Sequence, residues 1–136
     1  MPNDELNQRG RARLKQMLGD LGEQALENIA RISPEMAQYV VEFIFGDIHG
    51  RPGLDLKTRE IAALAALVTR GGVEPQLRAH LHGALNVGWS EQEIIELMIE
   101  MAVYAGFPSA LNGLYAARDV FAERAAKARS APAGDR

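Results

Sequence analysis

The sequence predicts an all-α protein, and three observations carry that expectation. Apolar residues recur at three- and four-residue spacing in nearly every long segment. Period-two alternation, the mark of a half-buried strand, is nowhere sustained. Residues that start and stop helices punctuate the periodic segments. The 136 residues suit one domain, a single helical bundle of about six to seven helices spanning 1–126, with 127–136 expected as a disordered tail. A chain of this size buries roughly two-thirds of its unfolded surface, so it needs no disulfide or structural metal to fold.

The first helix is expected over residues 4–18, stopping at Gly19, and a second short one over 21–32. Ser33 followed by Pro34 and Glu35 then starts a third, because the Ser oxygen accepts from orphan amides and Pro has no amide to orphan. Met36, Tyr39, Val40, Phe43 and Ile44 carry it to a stop at Gly46. The segment GDIHGRPGLD, residues 46–55, is dense in turn formers and reads as a loop. Asp55 caps a fourth helix over 56–69, whose Ile61, Leu64, Ala65 and Val68 make a narrow stripe for close packing. Gly71 and Gly72 end it, and a fifth helix runs from near Pro75 to Val87 and Gly88, where Trp89 packs in the turn. Ser90 with Glu93 forms a capping box for a sixth, through Ile94, Leu97, Met98 and Met101. Gly106 interrupts the pattern, and Pro108 opens a seventh through Leu111, Leu114, Tyr115 and Phe121. From Lys127 onward the residues are small and charged, with no apolar face beyond Ala. No sequence period repeats, which sets a helical solenoid aside.

Composition narrows the chemistry. With no cysteine, thiol nucleophiles, CxxC redox chemistry, thiolate zinc sites and iron–sulfur clusters are excluded, since each needs sulfur. A net charge of -3 argues against a nucleic-acid partner, which would call for a basic stripe. No run approaches the roughly 18 uninterrupted apolar residues of a membrane span, and the first residues lack the apolar core of a signal peptide, so the protein is expected in the cytoplasm.

Three histidines, His49, His80 and His82, stand out because their unperturbed pKa lies closest to neutrality. At 100° per residue, His80 lies about 60° from Leu77 and about 40° from Ala84, on the buried face of its helix. His82 is rotated about 200° from His80, so the two cannot share a metal from a regular helix, and no metal site is expected. His80 reads equally as a hydrogen-bonded core histidine and as a functional one. His82 taken alone reads as a solvated or interface residue. Glu60, near its helix start, complements the macrodipole or serves as a buried acid or base paired with a histidine of the next helix. Arg51, Arg59 and Arg78 can hold a carboxylate bidentately or form surface ion pairs. The Gly/Pro-rich loop around His49 and Arg51 suits a site wall.

The pieces RPGLDLKTR, HLHGALNVG at His80 to Gly88, SEQEI and AVYAGFPSAL together resemble the carboxymuconolactone decarboxylase family, over residues 50–121, about half the chain. The resemblance implies an all-α fold related to alkylhydroperoxidase-like proteins, with a helical hairpin that assembles into homotrimers or homohexamers. Apolar helical stripes that an isolated hairpin would expose point the same way. Peroxidase members carry a CxxC where this chain has Val73 and Gln76, so the resemblance is to the decarboxylase branch, which uses no metal or organic cofactor. It implies a small anionic substrate such as 4-carboxymuconolactone, in aromatic catabolism. His80 would be donor or proton carrier and Glu60 its partner, with Arg51, His49, His82 and Arg78 as substrate-binding candidates. Family decarboxylases more often read HxRGALNNG, so His82 stands at an arginine position and Val87 at an asparagine position, and the family tends to place a tryptophan near His49. A different lactone or keto acid, handled by an isomerase or hydrolase, or a non-catalytic oligomeric binding role, are the alternatives.

Overall fold

Gly19 breaks helical geometry between two helical segments. The structure, a computed structural model, describes residues 4–131. Its first helix, α1, spans Asp4–Ile32, with Gly19 at φ 62° and ψ -150° inside it. Only glycine takes that conformation without strain, so α1 consists of two helical segments that meet at Gly19, where the sequence places the end of the first helix and the approach to the second. The Asn86 side-chain amide donates to the Met17 carbonyl at 2.9 Å, which satisfies a group beside the kink.

Ser33 caps α2, Pro34–Tyr39, by accepting from the Met36 amide at 3.1 Å. The chain then continues without a break as a π-helix, Val40–Ile48. The expected stop at Gly46 is therefore corrected, since the helix widens there instead of ending. The His49 amide donates to Ile44, five residues back, at 2.8 Å. Arg13 of α1 donates through Nη1 to the carbonyls of Phe45 at 2.6 Å and Gly46 at 3.3 Å, groups that a helix end leaves without partners. Gly10 lets the two elements touch backbone to backbone: a Cβ there would lie 2.1 Å from the Val41 carbonyl oxygen.

Four further helices complete the all-α fold: α3 Leu56–Arg70, α4 Glu74–Asn86, α5 Glu91–Tyr104 and α6 Phe107–Ser130. Asp55 caps α3 through the Thr58 amide at 2.7 Å, and Ser90 with Glu93 closes the capping box of α5. The main core lies among these four, with Leu64, Leu81, Ile94, Met98 and Val120 fully enclosed. Each such side chain contributes about 1.5–3 kcal/mol relative to exposure. Leu14, Met17, Leu18 and Phe45 form a second cluster joining α1 to the π-helix. The end of α6 runs past Lys127 to Ser130, beyond the point where the tail was expected to begin, and 132–136 lie outside the described residues. Among the described residues no helix is long and apolar enough to cross a membrane. Several large apolar side chains stay exposed, among them Ile32, Met36, Tyr39 and Phe43 before the loop and Val103, Tyr104 and Phe107 at the α5–α6 turn.

Candidate active site

Glu60 sits in the second turn of α3, because the Asp55 cap sets where that helix begins, and its side chain has no solvent exposure. A charged group is brought there by a close helix crossing. Gly83 of α4 lies against the carboxyl: a Cβ on it would fall 2.8 Å from Glu60 Oε1 and 2.9 Å from Cδ. One turn before Gly83, His80 donates from Nδ1 to Glu60 Oε1. The His80 side chain is 20% exposed, so it joins the buried carboxylate to the surface. With Nδ1–H held by the carboxylate, Nε2 is the nitrogen left to accept or carry a proton, and the carboxylate stabilises the imidazolium when it forms.

Two buried polar atoms at this centre have no hydrogen-bond partner among the described residues, Glu60 Oε2 and His49 Nδ1. His49 follows the π-helix directly, with its ring tilted at 42° to that of Phe45 and the centroids 5.3 Å apart. Burial above all pushes its pKa below the ordinary 6.5. The Glu60 charge opposes that fall, while His80, Arg59 and Arg13 add to it, so His49 shares the electrostatic environment of the pair.

The neighbouring loop is held from α3. Arg59 donates through Nε to the Leu54 carbonyl at 3.0 Å and through Nη2 to the Arg51 carbonyl at 3.1 Å. That occupies the guanidinium with backbone and leaves the exposed Arg51 side chain without a hydrogen bond among the described residues. Trp89 ties the α4–α5 turn to the same helix start, donating from Nε1 to the Lys57 carbonyl at 2.8 Å.

His82 and Arg78 belong to a second cluster. Both pair with Glu123 of α6, His82 Nε2 at 3.1 Å, and Arg124 donates to His82 Nδ1 at 3.2 Å. An imidazole that accepts on Nδ1 and donates from Nε2 is neutral. Its pKa is pushed down accordingly, by burial first and then by Arg124, Arg78 and Lys127. An open cleft of about 910 Å³ between His82, Arg124, Asn86 and the Gly19 kink adjoins this cluster. The structure thus gathers Glu60, His80 and His49 and directs His82 and Arg78 to α6, as the 200° rotation from His80 to His82 requires. Sequence reasoning passed over Glu123 and Arg124. The available signal was that rotation, which called for a polar partner on another helix. Among the described residues no group of three or more His, Asp or Glu side chains could hold a metal ion.

Comparison with known proteins places these residues in context. A profile of the carboxymuconolactone decarboxylase family matches residues 34–119. A 4-carboxymuconolactone decarboxylase of Acinetobacter baylyi is 32% identical over 97 residues, which cover 71% of this chain and 72% of that protein. An uncharacterized 15.0 kDa protein of Paracoccus denitrificans is 34% identical over 94 residues, 68% of this chain and 70% of its own. A nitrosuccinic acid decarboxylase of Metarhizium robertsii is 33% identical over 117 residues, covering 82% of this chain and 81% of its own.

Proposed function

The chain belongs to the carboxymuconolactone decarboxylase family, and from that premise we propose that it is a carboxy-lyase needing no cofactor, acting on 4-carboxymuconolactone to give 3-oxoadipate enol-lactone in aromatic catabolism. The observation that carries the reading is the buried Glu60 carboxylate holding Nδ1 of a partly exposed His80. In this substrate the departing carboxylate stands on a carbon vinylogous to the lactone carbonyl. When the carbon–carboxylate bond breaks, its electron pair moves to the carbonyl oxygen, carbon dioxide leaves and a dienolate remains. His80 Nε2 supplies the proton that converts the dienolate to the enol-lactone, then regains one from solvent. Glu60 holds the ring in one tautomer and stabilises its charged form. Arg51, free of hydrogen bonds within the described chain, binds the spectator carboxylate and the loop encloses it. Arg78, already paired with Glu123, contributes charge at a distance, while His82 on the same Glu123 stays neutral.

The working protein is proposed as a cytoplasmic homotrimer or homohexamer, a reading supported by its exposed apolar side chains. A steady-state assay of carbon dioxide release from 4-carboxymuconolactone tests the substrate. Turnover that disappears in His80→Ala is the expected result, and no release above background removes this substrate. The Metarhizium relative supports a second substrate reading, since its name also describes loss of carboxylate from a small acid. His82, where the family more often has arginine, favours it as well, because a site with one cation fewer suits a different acid. Nitrosuccinic acid is therefore the second compound to assay.

A further inference from the structure

Glu60 has two carboxylate oxygens closed off from bulk solvent, and His80 serves only one of them. The second, Oε2, is enclosed and unpartnered. A buried carboxylate oxygen without a donor carries a desolvation cost that a hydrogen bond removes. The other enclosed polar atom without a partner among the described residues is His49 Nδ1, on a ring that feels the Glu60 charge more than any other charge around it. That ring is delivered by an unusual device, a nine-residue π-helix ending at Ile48 with its last carbonyls held by Arg13. Short π segments often mark functional sites.

We infer that His49 is a positioning residue for the Glu60–His80 pair, linked by a hydrogen bond from Nδ1 through one enclosed water to the carboxylate oxygen that His80 leaves free. The inference deepens the decarboxylase reading and rests on it for the role of the pair. In the resulting His49–Glu60–His80 relay the carboxylate is served on both oxygens and stays charged, and His80 keeps a single tautomer with Nε2 toward substrate. The charged and titratable groups around His49 come from three helices: Arg13 on α1, Arg59 and Glu60 on α3, and His80 on α4. Burial first, and then His80 and the two cations, oppose protonation of His49, which favours it as a neutral donor.

Histidine-selective ¹⁵N NMR of the full chain tests this without any substrate. In Glu60→Gln the charge that props up His49 is gone, and its titration midpoint falls. An unchanged midpoint overturns the link. His49→Phe keeps a ring against Phe45 but removes the donor, whereas His49→Asn keeps an N–H in the Nδ1 position. The His80 nitrogens are expected to report one tautomer in the natural protein and in His49→Asn, and a mixture in His49→Phe. Identical His80 signals in all three overturn the proposal, and if His49→Phe does not fold, the Glu60→Gln titration decides. With an active substrate, kcat falls about tenfold in His49→Phe at unchanged KM and recovers in His49→Asn. Failure of every acid tested would count against the decarboxylase reading alone, since the NMR result stands without turnover.

Discussion

His80 and Glu60 lie 20 positions apart in the chain, and each is ambiguous when read alone. The angular positions of Leu77 and Ala84 turn His80 inward, and that much was legible in helix geometry. Its partner was legible only as one of two readings of Glu60, because a carboxylate near a helix start satisfies the macrodipole without any histidine. What decides between them is Gly83, whose missing side chain admits the carboxyl between α3 and α4. Gly83→Ala should destabilise the protein by about 1–3 kcal/mol through overpacking and displace Glu60 from His80. Thermal unfolding and His80 ring NMR would check both effects together. His80→Ala and Glu60→Gln should lower kcat by about 10²–10⁴-fold, the usual contribution of a positioned acid–base group, with the helical circular dichroism unchanged. Two other histidines link stability to pH. His49 and His82 both have pKa values below the ordinary 6.5 in the folded chain, so the unfolded chain binds protons more readily. Their contribution is fully present above that value and is lost as pH falls from it toward the folded values. Urea midpoints measured from neutral pH downward should decline, and should decline less in His82→Asn.

Caps were the most readable elements. Ser33, Asp55 and Ser90 each accept from a backbone amide three residues on, as short polar residues before periodic apolar runs lead one to expect. The π-helix was not readable, because nine apolar-rich residues fit a helical face whether each amide bonds four or five residues back. Its widening needs Arg13 from 32 positions earlier to hold the Phe45 carbonyl, a contact that no local pattern encodes. Gly19 was read as a stop, and its dihedrals do separate two helical segments there, while the Asn86 bond that ties the kink back to α4 had no local signal. Gly19→Ala places a side chain at φ 62° and should cost about 1–3 kcal/mol. Calorimetry should show a lowered Tm, and a Tm equal to that of the natural protein would mean the kink straightens without loss.

For the whole molecule, the fold class followed from periodicity because every long segment had one, while the association state rests on what the folded chain leaves uncovered. Exposed Tyr39 and Phe43 before the loop and Val103 and Phe107 at the α5–α6 turn are costly to keep in water for a monomer of this size. Light scattering at micromolar concentration should give an assembly of three or six chains, and Phe43→Glu should reduce the mass. A monomer in the unmodified protein would remove the assembly from the proposal. The Arg59 clamp has a consequence on a longer timescale than any assay. It grips the loop by the carbonyls of Leu54 and Arg51, groups that every amino acid possesses. Side chains along that loop can therefore be exchanged by mutation while its path and the Glu60 helix stay put. On the roles proposed for them, descent with altered appetite for acids is open to such a scaffold, because the part that would choose can drift while the part that would react is kept.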